Sequence, residues 1–337
     1  MEEEDRIKAA YEIMRAGQLA SALEVSGWPK PGNVHRTRDE ETTRFEHFIA
    51  GAIAIGPALR EASLKGMKVG EGVIKPSEVK LGSLVKMAVT DVEAWQLGGN
   101  THLGTSLLLV PLAASAGKTF IEKRKMDFKL LRENVKTLTR ETTPEDAVEV
   151  YRAIRIVSSP EKMGEWKGTE APDVYREDAE DKLVSEGVTL YDTMKTASSW
   201  DNIAREWING MEISFKVGYP TLVETYARTA DINIATVHTY LTILAHIPDT
   251  FIARKVGLKK TRDVSKAVDI GKKETSWIME LASNILKAGG LTSLEGREAL
   301  EKFDDRLHQA GGILNPGTSA DLTASSLMIA LLCGLRF

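Results

Sequence analysis

The first residues that could do chemistry lie at positions 24–36, where the helical pattern at the start of the chain is interrupted. Pro29, Pro31 and Gly32 fix a turn in this segment. The turn and the residue before it carry cations, an amide, an imidazole and an acid, which suit a polyphosphate substrate. These side chains are Glu24, Lys30, Asn33, His35 and Arg36. Taken alone, the segment is equally consistent with a solvated loop between two helices.

A second polar cluster occupies residues 98–106 and links two apolar helical stretches. It reads Gly-Gly-Asn-Thr-His-Leu-Gly-Thr-Ser, and either Asn100 or Thr101 is predicted to cap the following helix. Two glycines before a helix N-terminus let a phosphate approach free backbone N–H groups. The pattern is neither a Walker loop nor a dinucleotide-binding motif. By itself it also fits an ordinary turn between helices.

A third cluster spans residues 314–326 and precedes a strongly apolar helix near the end of the chain. Thr318 or Ser319 is predicted to cap this helix, which places Asp321 in its first turn. The helix dipole alone favours an acid there. Because the helix is apolar it should be buried, and a buried carboxylate needs a partner. A metal-bound phosphate or a basic side chain would serve.

Isolated polar residues in the middle of the chain include Lys195, Asp201, Asp249 and Arg254. Asp201 fits the N-cap of the helix that follows it, and the others fit solvated helix surfaces. The sequence contains no His-Glu-x-x-His zinc motif and no Gly-x-Ser-x-Gly nucleophile motif. These residues alone therefore predict no separate catalytic site.

The elements that must position the three clusters are predicted to be helices. Between residues 45 and 53 apolar side chains recur at intervals of three and four, and Thr143 precedes Pro144 as a cap precedes a first helical turn. Strand signals are nearly absent. We predict an all-α, multi-helix globular bundle of about ten or more helices. We expect a single domain over residues 1–337, with a polar surface excursion near residues 158–186.

Composition limits the classes of function. The 337 residues include 44 Lys+Arg and 48 Asp+Glu, so the net charge of −4 argues against nucleic acid as a partner. The single cysteine, Cys333, excludes a disulfide framework and fits a reducing, cytoplasmic compartment. The acidic first residues are unlike a signal peptide. The apolar runs at residues 107–114 and 327–333 are shorter than a membrane span, so no membrane association is expected.

Taken in order, the three clusters resemble the signature blocks of the triphosphoribosyl-dephospho-CoA synthase family. That family carries a Lys-Pro-Gly loop after its first helix, an Asn-Thr-His-x-Gly block, and a Pro-Gly-x-Ser-Ala-Asp-Leu block near its C-terminus. The corresponding segments here are Lys30-Pro31-Gly32, Asn100-Thr101-His102-Leu103-Gly104 and Pro316-Gly317-Thr318-Ser319-Ala320-Asp321-Leu322. The resemblance covers nearly the whole chain and implies an all-α fold.

The resemblance implies an enzyme that joins ATP to 3′-dephospho-CoA. Adenine leaves, and the triphosphoribosyl group passes to a ribose hydroxyl of the acceptor, which yields the precursor of the prosthetic group of citrate lyase or malonate decarboxylase. This is glycosyl transfer through an oxocarbenium-like state. It requires a carboxylate near the developing charge, a proton donor to adenine, a base for the hydroxyl, and cations such as Mg²⁺ for the triphosphate.

On this resemblance the candidate residues receive provisional roles. The acid/base group would be Glu24 or His102. Mg²⁺ would be held by Asp321 and Asp249, or Asp321 would stabilise the cationic ribosyl group. The triphosphate and nucleotide would contact the remaining polar side chains of the clusters and of the middle segment: Lys30, Asn33, His35, Arg36, Asn100, Thr101, Lys195, Arg254 and Ser319.

Two departures from the family pattern indicate a divergent branch. Members usually have Leu-Val-Asp after the Lys-Pro-Gly loop, where this chain has Asn33-Val34-His35, and a lysine where it has Leu103. Two alternatives therefore stay open. One is a related nucleotide or phosphoribosyl transferase or hydrolase with another acceptor, and the other is a nucleotide-binding helical protein without catalysis. The apolar final helix could pack in the core or across a homodimer interface.

Overall fold

The computed structural model describes residues 3–337, and over this range the chain forms helices and no β-sheet. The prediction of an all-α fold with about ten or more helices is confirmed. The α-helices are α1 (Glu3–Ser26), α2 (Phe45–Ala54), α3 (Gly56–Gly70), α4 (Leu81–Trp95), α5 (Leu103–Lys123), α6 (Phe128–Arg140), α7 (Pro144–Val157), α8 (Pro160–Met163), α9 (Ala179–Ser185), α10 (Leu190–Ala197), α11 (Asn202–Asn209), α12 (Tyr219–Thr229), α13 (Ile232–His246), α14 (Thr250–Gly257), α15 (Val264–Glu274), α16 (Ser276–Lys287), α17 (Leu294–His308) and α18 (Gly317–Leu332). Short 3₁₀ turns at Pro76–Val79 and Gly290–Thr292 and a π-helical turn at Ser214–Gly218 complete the set.

Two helix starts follow the predicted caps. The Thr143 hydroxyl accepts a hydrogen bond from the Asp146 N–H, and α7 begins at Pro144. The Asp201 carboxylate accepts from the N–H groups of Ile203 and Ala204 at 2.8 and 3.1 Å. Each cap satisfies backbone donors that the first helical turn leaves free.

Two other starts differ from the prediction. His102, not Asn100 or Thr101, occupies the N-cap of α5, although the Asn100 side chain still accepts from the Leu103 N–H at 3.2 Å. Helix α18 begins at Gly317, so Thr318 and Ser319 lie inside it rather than at its cap. The Ser319 N–H in its first turn donates to Asp249, the N-cap residue of α14, which local spacing does not reveal.

The core is built around α5, which is apolar on all sides and therefore buried. Helix α3 approaches α5 closely at Gly66 and Gly117, where a side chain on either residue would overlap the backbone of the partner helix. Helices α1, α3 and α18 all pack against α5. The helices that carry the three sequence clusters therefore meet in one place. A second apolar cluster joins α13, α16 and α17.

Length and composition alone would allow α5 to cross a membrane. The helix is 21 residues long, and its most apolar 18-residue window has a mean hydropathy of 1.3, which is high enough for a membrane-spanning helix. In the structure 78% of that window is buried inside the protein. The apolar run at residues 107–114 is itself too short to span a membrane, but the helix that contains it extends beyond it on both sides. Its burial identifies α5 as a core helix.

The polar segment at residues 158–186 contains α8 and α9 and is fastened to neighbouring elements. The Glu165 N–H donates to the Arg262 carbonyl at 2.7 Å, and the Val264 N–H donates to the Glu165 carbonyl at 3.0 Å. The Tyr151 hydroxyl on α7 donates to the Pro172 carbonyl at 2.7 Å. The segment was predicted as a surface excursion, but its inner side between residues 158 and 174 lines a large cavity.

Candidate active site

A cavity of about 930 Å³ opens where the starts of α5 and α18 face the last turns of α1. Segments from α7, residues 158–174, α10, α11 and α14 form its other walls. All three sequence clusters contribute residues to it. The predicted site residues that line it are Glu24, Asn33, Asn100, Thr101, His102, Arg254 and Asp321.

Asp321 projects from the first turns of α18 towards the start of α5. The Thr105 hydroxyl donates to its Oδ1 at 2.6 Å. Gly104 leaves room for the Asp321 carboxyl group against α5, because a Cβ atom at position 104 would overlap that group in its present position. Burial raises the pKa of Asp321 to about 8, and the nearby charge of Glu24 acts in the same direction. At neutral pH this carboxyl group therefore holds a proton that it can donate.

Glu24 lies near the end of α1 and forms an ion pair with Lys30. The Lys30 Nζ also donates to the Glu24 backbone carbonyl at 3.1 Å, and the lysine side chain is 0% exposed. Burial lowers the pKa of Lys30, and the charge of Glu24 opposes that shift. Lys30 was predicted to contact the triphosphate, but it does not line the cavity. The lysine instead compensates the charge of Glu24, which faces the cavity.

Asn33 enters the cavity from the turn that follows Lys30. Its Nδ2 donates to Asn315 Oδ1 at 2.8 Å, whereas its Oδ1 is buried and has no hydrogen-bond partner within residues 3–337. A buried amide oxygen without a donor is costly. It is therefore available to a substrate hydroxyl or amino group. The predicted role of Asn33 in binding a nucleotide is consistent with this position.

His35 and Arg36 point away from the cavity, contrary to their predicted contact with phosphates. His35 is buried, and its Nε2 lies 3.3 Å from Asp304 Oδ2, while burial lowers its pKa. Asp304 also accepts from the Gly32 N–H at 2.9 Å and so holds the turn in place. Arg36 donates to the Ser26 carbonyl at 2.6 Å on the protein surface.

His102 is part of the cavity wall but is only 2% exposed. Its Nε2 lies 2.9 Å from the Ser21 hydroxyl and its Nδ1 lies 2.8 Å from the Thr101 hydroxyl. Burial lowers its pKa to about 4, so the ring is neutral near pH 7. With both nitrogens engaged, His102 is poorly placed as an acid or base. It joins the Asn100–Thr101 segment to α1.

Asp249 and Ser319, predicted as metal and phosphate ligands, bind each other instead. Asp249 Oδ2 accepts from the Ser319 N–H and hydroxyl at 2.7 and 2.9 Å, and its Oδ1 accepts from the first N–H groups of α14. Neither residue lines the cavity. Within residues 3–337 no three Asp, Glu, His or Cys side chains are grouped as a metal site. Because both oxygens of Asp249 are engaged by these donors, Asp249 does not share a Mg²⁺ site with Asp321 in this arrangement.

Arg254 and Lys195, both predicted to bind phosphates, lie in different environments. Lys195 is exposed on α10 and does not line the cavity. Arg254 lines it from α14 with a side chain that is 13% exposed. Its Nε has no hydrogen-bond partner among the described residues, and its Nη1 lies 3.8 Å from Asp201 Oδ2, beyond hydrogen-bond distance. This guanidinium is therefore free to take an anion.

Sequence reasoning missed Lys255, Glu40 and Phe251, which line the cavity beside Asn315. The Lys255 Nζ lies 3.9 Å from the centroid of the Phe251 ring and donates to the Gly312 carbonyl at 2.6 Å. Burial lowers the pKa of Lys255 to about 8. Glu40 accepts from the Asn315 amide. A lysine on a short helix and a glutamate in a loop carry no local signal of such a role.

Comparisons with known proteins bear on this site. The family described as ATP:dephospho-CoA triphosphoribosyl transferase matches residues 10–336. A crystal structure from Archaeoglobus fulgidus, provisionally assigned as a triphosphoribosyl-dephospho-CoA synthase, superposes with a TM-score of 0.59. The two chains are 27% identical, and the match covers 87% of this chain and 100% of the other. No curated protein matches the sequence significantly.

The family match agrees with the arrangement of the three clusters. The Lys30, Asn100 and Asp321 segments are far apart in sequence, yet residues from all three line one cavity. The match spans nearly the whole chain, so the resemblance inferred from the motifs is confirmed. The chain belongs to the ATP:dephospho-CoA triphosphoribosyl transferase family, whose members are transferases that use ATP and dephospho-CoA.

Proposed function

We propose that this cavity transfers the triphosphoribosyl group with Asp321 as the acid that protonates the departing adenine. The observation that carries the proposal is the position of the Asp321 carboxyl group, which lines the cavity at the meeting point of α5 and α18 and whose pKa is raised by burial to about 8. A purine leaves more readily when one of its ring nitrogens receives a proton as the glycosidic bond breaks. In the net reaction the acceptor hydroxyl loses one proton and adenine gains one, so the protons balance.

Glu24 takes the complementary role of a charged carboxylate. Its ion pair with the fully buried Lys30 supplies the counter-charge that a buried carboxylate needs, and a carboxylate in this cavity stabilises the positive charge that develops on the ribosyl carbon. The two carboxyl groups in the cavity thus have different surroundings, because Glu24 is paired with a lysine and Asp321 is not, and different surroundings give paired carboxyl groups different roles in other enzymes of glycosyl transfer.

Arg254 is proposed to hold phosphates of the nucleotide, since its guanidinium has no protein acceptor within hydrogen-bond distance from Nε. We expect Arg254→Lys to weaken ATP binding about tenfold to one-hundredfold, because a lysine cannot form the paired hydrogen bonds of a guanidinium. Isothermal titration calorimetry would measure this. Arg306→Lys, which alters a guanidinium stacked on Trp277 outside the cavity, is the matched control. Equal ATP affinity in Arg254→Lys and the wild type would contradict the assignment.

We also propose that ATP binds as its magnesium complex. Acidic side chains outnumber basic ones around the cavity: Glu24, Glu40, Glu161, Asp173, Asp201 and Asp321 against Lys162, Arg254 and Lys255. Even with Asp321 neutral and Glu24 paired with Lys30, the four remaining acids outnumber the three cations, so the cavity offers a free triphosphate no net positive charge. Mg²⁺ is usually held by phosphates with one or two carboxylates, so a dedicated protein site is not required.

The test of the proposed function is the release of adenine. Purified protein is incubated with ATP, Mg²⁺ and dephospho-CoA, and free adenine and the acceptor mass are followed by chromatography and mass spectrometry. We expect adenine and a triphosphoribosyl-bearing acceptor in equal amounts, and neither when EDTA replaces Mg²⁺. ATP binding without adenine release would overturn the catalytic proposal.

The acceptor is tested in the same experiment because two unusual residues, Asn33 and Leu103, both line the cavity. Adenine released without modification of dephospho-CoA would keep the glycosyl chemistry but assign another acceptor or water. The third unusual residue, His35, lies outside the cavity, so its effect on substrate choice would be indirect.

A further inference from the structure

The cavity has an aromatic wall that takes no part in the chemistry above. Trp166 and Trp200 both line it, and their rings are stacked with centroids 4.3 Å apart and planes inclined by 27°. Trp166 comes from the segment at residues 158–174, and Trp200 precedes α11. Neither residue belongs to the three clusters. Stacked indoles beside a cavity provide a large, rigid apolar surface.

The backbone holds this wall in place. The Trp166 backbone N–H donates to Asp173 Oδ2 at 2.7 Å. The preceding residue, Glu165, donates its N–H to the Arg262 carbonyl and accepts from the Val264 N–H at the start of α15. The Trp166 indole Nε1 is buried and has no acceptor within residues 3–337. The residue as a whole is half-buried, and other parts of it line the cavity. An unpaired indole N–H favours a ligand that brings an acceptor.

A phosphate-binding group lies next to the wall. Asp201 follows Trp200 in the chain, and its carboxylate is 3.8 Å from Arg254 Nη1. An aromatic face and a guanidinium with an unpaired Nε are therefore neighbours on one side of the cavity. A nucleotide combines a planar base, which suits the aromatic face, with phosphates, which suit the guanidinium.

We infer that Trp166 and Trp200 form a subsite for the purine ring of an adenine nucleotide, which stacks on the indole surface while Arg254 binds its phosphates. Base–aromatic stacking is strong enough to anchor such a ligand, and the ribose and phosphate oxygens beside the base offer acceptors to an indole N–H at the edge of the ring. This inference rests on the proposed function, because both of its substrates, ATP and dephospho-CoA, carry adenine. The shared chemistry is the purine, and separate titrations identify which substrate provides it.

The test is Trp166→Ala, titrated calorimetrically with ATP, with dephospho-CoA and with tripolyphosphate, which has phosphates but no base. We expect about a tenfold or greater loss of affinity for at least one adenine nucleotide and unchanged affinity for tripolyphosphate. The nucleotide that loses affinity is the one that occupies the subsite. Trp166→Phe, which retains an aromatic face, is expected to recover most of the loss.

Trp277→Ala is the matched control, since this indole packs against Phe303 outside the cavity. Trp200→Ala is the second variant, and it should weaken binding of the same nucleotide. Wild-type affinity for both nucleotides in both variants would overturn the inference, and so would an equal loss for tripolyphosphate. If either of these results were found while the wild-type protein still released adenine, the purine subsite would be wrong and the proposed function would stand. The failure of the inference can therefore be distinguished from the failure of the proposed function.

Discussion

Asp321→Asn is expected to lower kcat for adenine release by a factor of about 10² to 10⁴, the range for loss of a general acid. Asparagine has nearly the same size and can still accept the hydrogen bond from Thr105. It cannot donate a proton to a leaving purine. The variant should therefore fold and bind ATP while chemistry slows, and single-turnover kinetics with bound ATP would separate these steps.

The pH profile adds a second readout for the same residue. The pKa of Asp321 is raised to about 8, so the acid form predominates at neutral pH and is lost as the pH rises through that value. We expect wild-type kcat/KM for ATP, which reports the free enzyme, to be level below about pH 8 and to fall tenfold per pH unit above it. Asp321→Asn should lack this fall.

The matched control is Asp269→Asn, on the exposed side of α15. It should retain wild-type kcat and the wild-type pH profile. An Asp321→Asn variant with wild-type kcat would contradict the assignment, as would a wild-type rate that increases above pH 8. The latter would mean that the deprotonated carboxylate is the active form.

Lys30→Met is expected to lower the free energy of unfolding by about 3–5 kcal/mol, because it leaves the charge of Glu24 buried without its partner. The Lys30 ammonium is completely enclosed, and the Glu24 side chain is 8% exposed, so water can replace little of the lost interaction. Adding Glu24→Gln should restore part of the stability, since the remaining pair is then uncharged. Chemical denaturation of the single and double variants would measure both effects.

Lys266→Met provides the control for removal of a lysine. Its side chain is 75% exposed, and its ion pair with Asp263 is 3.5 Å long, so we expect a change within about 0.5 kcal/mol. A Lys30→Met protein as stable as the wild type would contradict the structural role of the pair. A double variant no more stable than Lys30→Met would show that the lost packing, not the unpaired charge, dominates.

Local sequence signals determined much of the helical framework. Helix caps such as Thr143 and Asp201 accept hydrogen bonds from N–H groups two or three residues away, so both partners lie in the same short segment of sequence. The apolar period of the helices is likewise a property of neighbouring residues. The three ordered motifs were enough to indicate the family, because each is a short contiguous segment.

Tertiary structure decided which polar residues face the substrate. Lys30, His35 and Arg36 lie in one turn, yet the first pairs with Glu24, the second with Asp304 and the third with the surface carbonyl of Ser26. An irregular turn, unlike a helix or a strand, has no repeat that relates the position of a residue in the sequence to the direction of its side chain. The side chains of this turn are therefore oriented by partners that are distant in the sequence. Asp249, engaged with Ser319 seventy residues away, was misassigned for the same reason.

The protonation of Asp321 is also a product of the assembled fold. Its pKa is raised chiefly by burial, and the carboxylates of Glu24, Asp249 and Asp201 add to the shift from three other parts of the chain. The aromatic wall of Trp166 and Trp200 likewise joins segments with no local signal for pairing. The sequence determined the helices and the family. Only the packing of α1, α5 and α18 set the charge state of the acid, because desolvation depends on what surrounds a group in space.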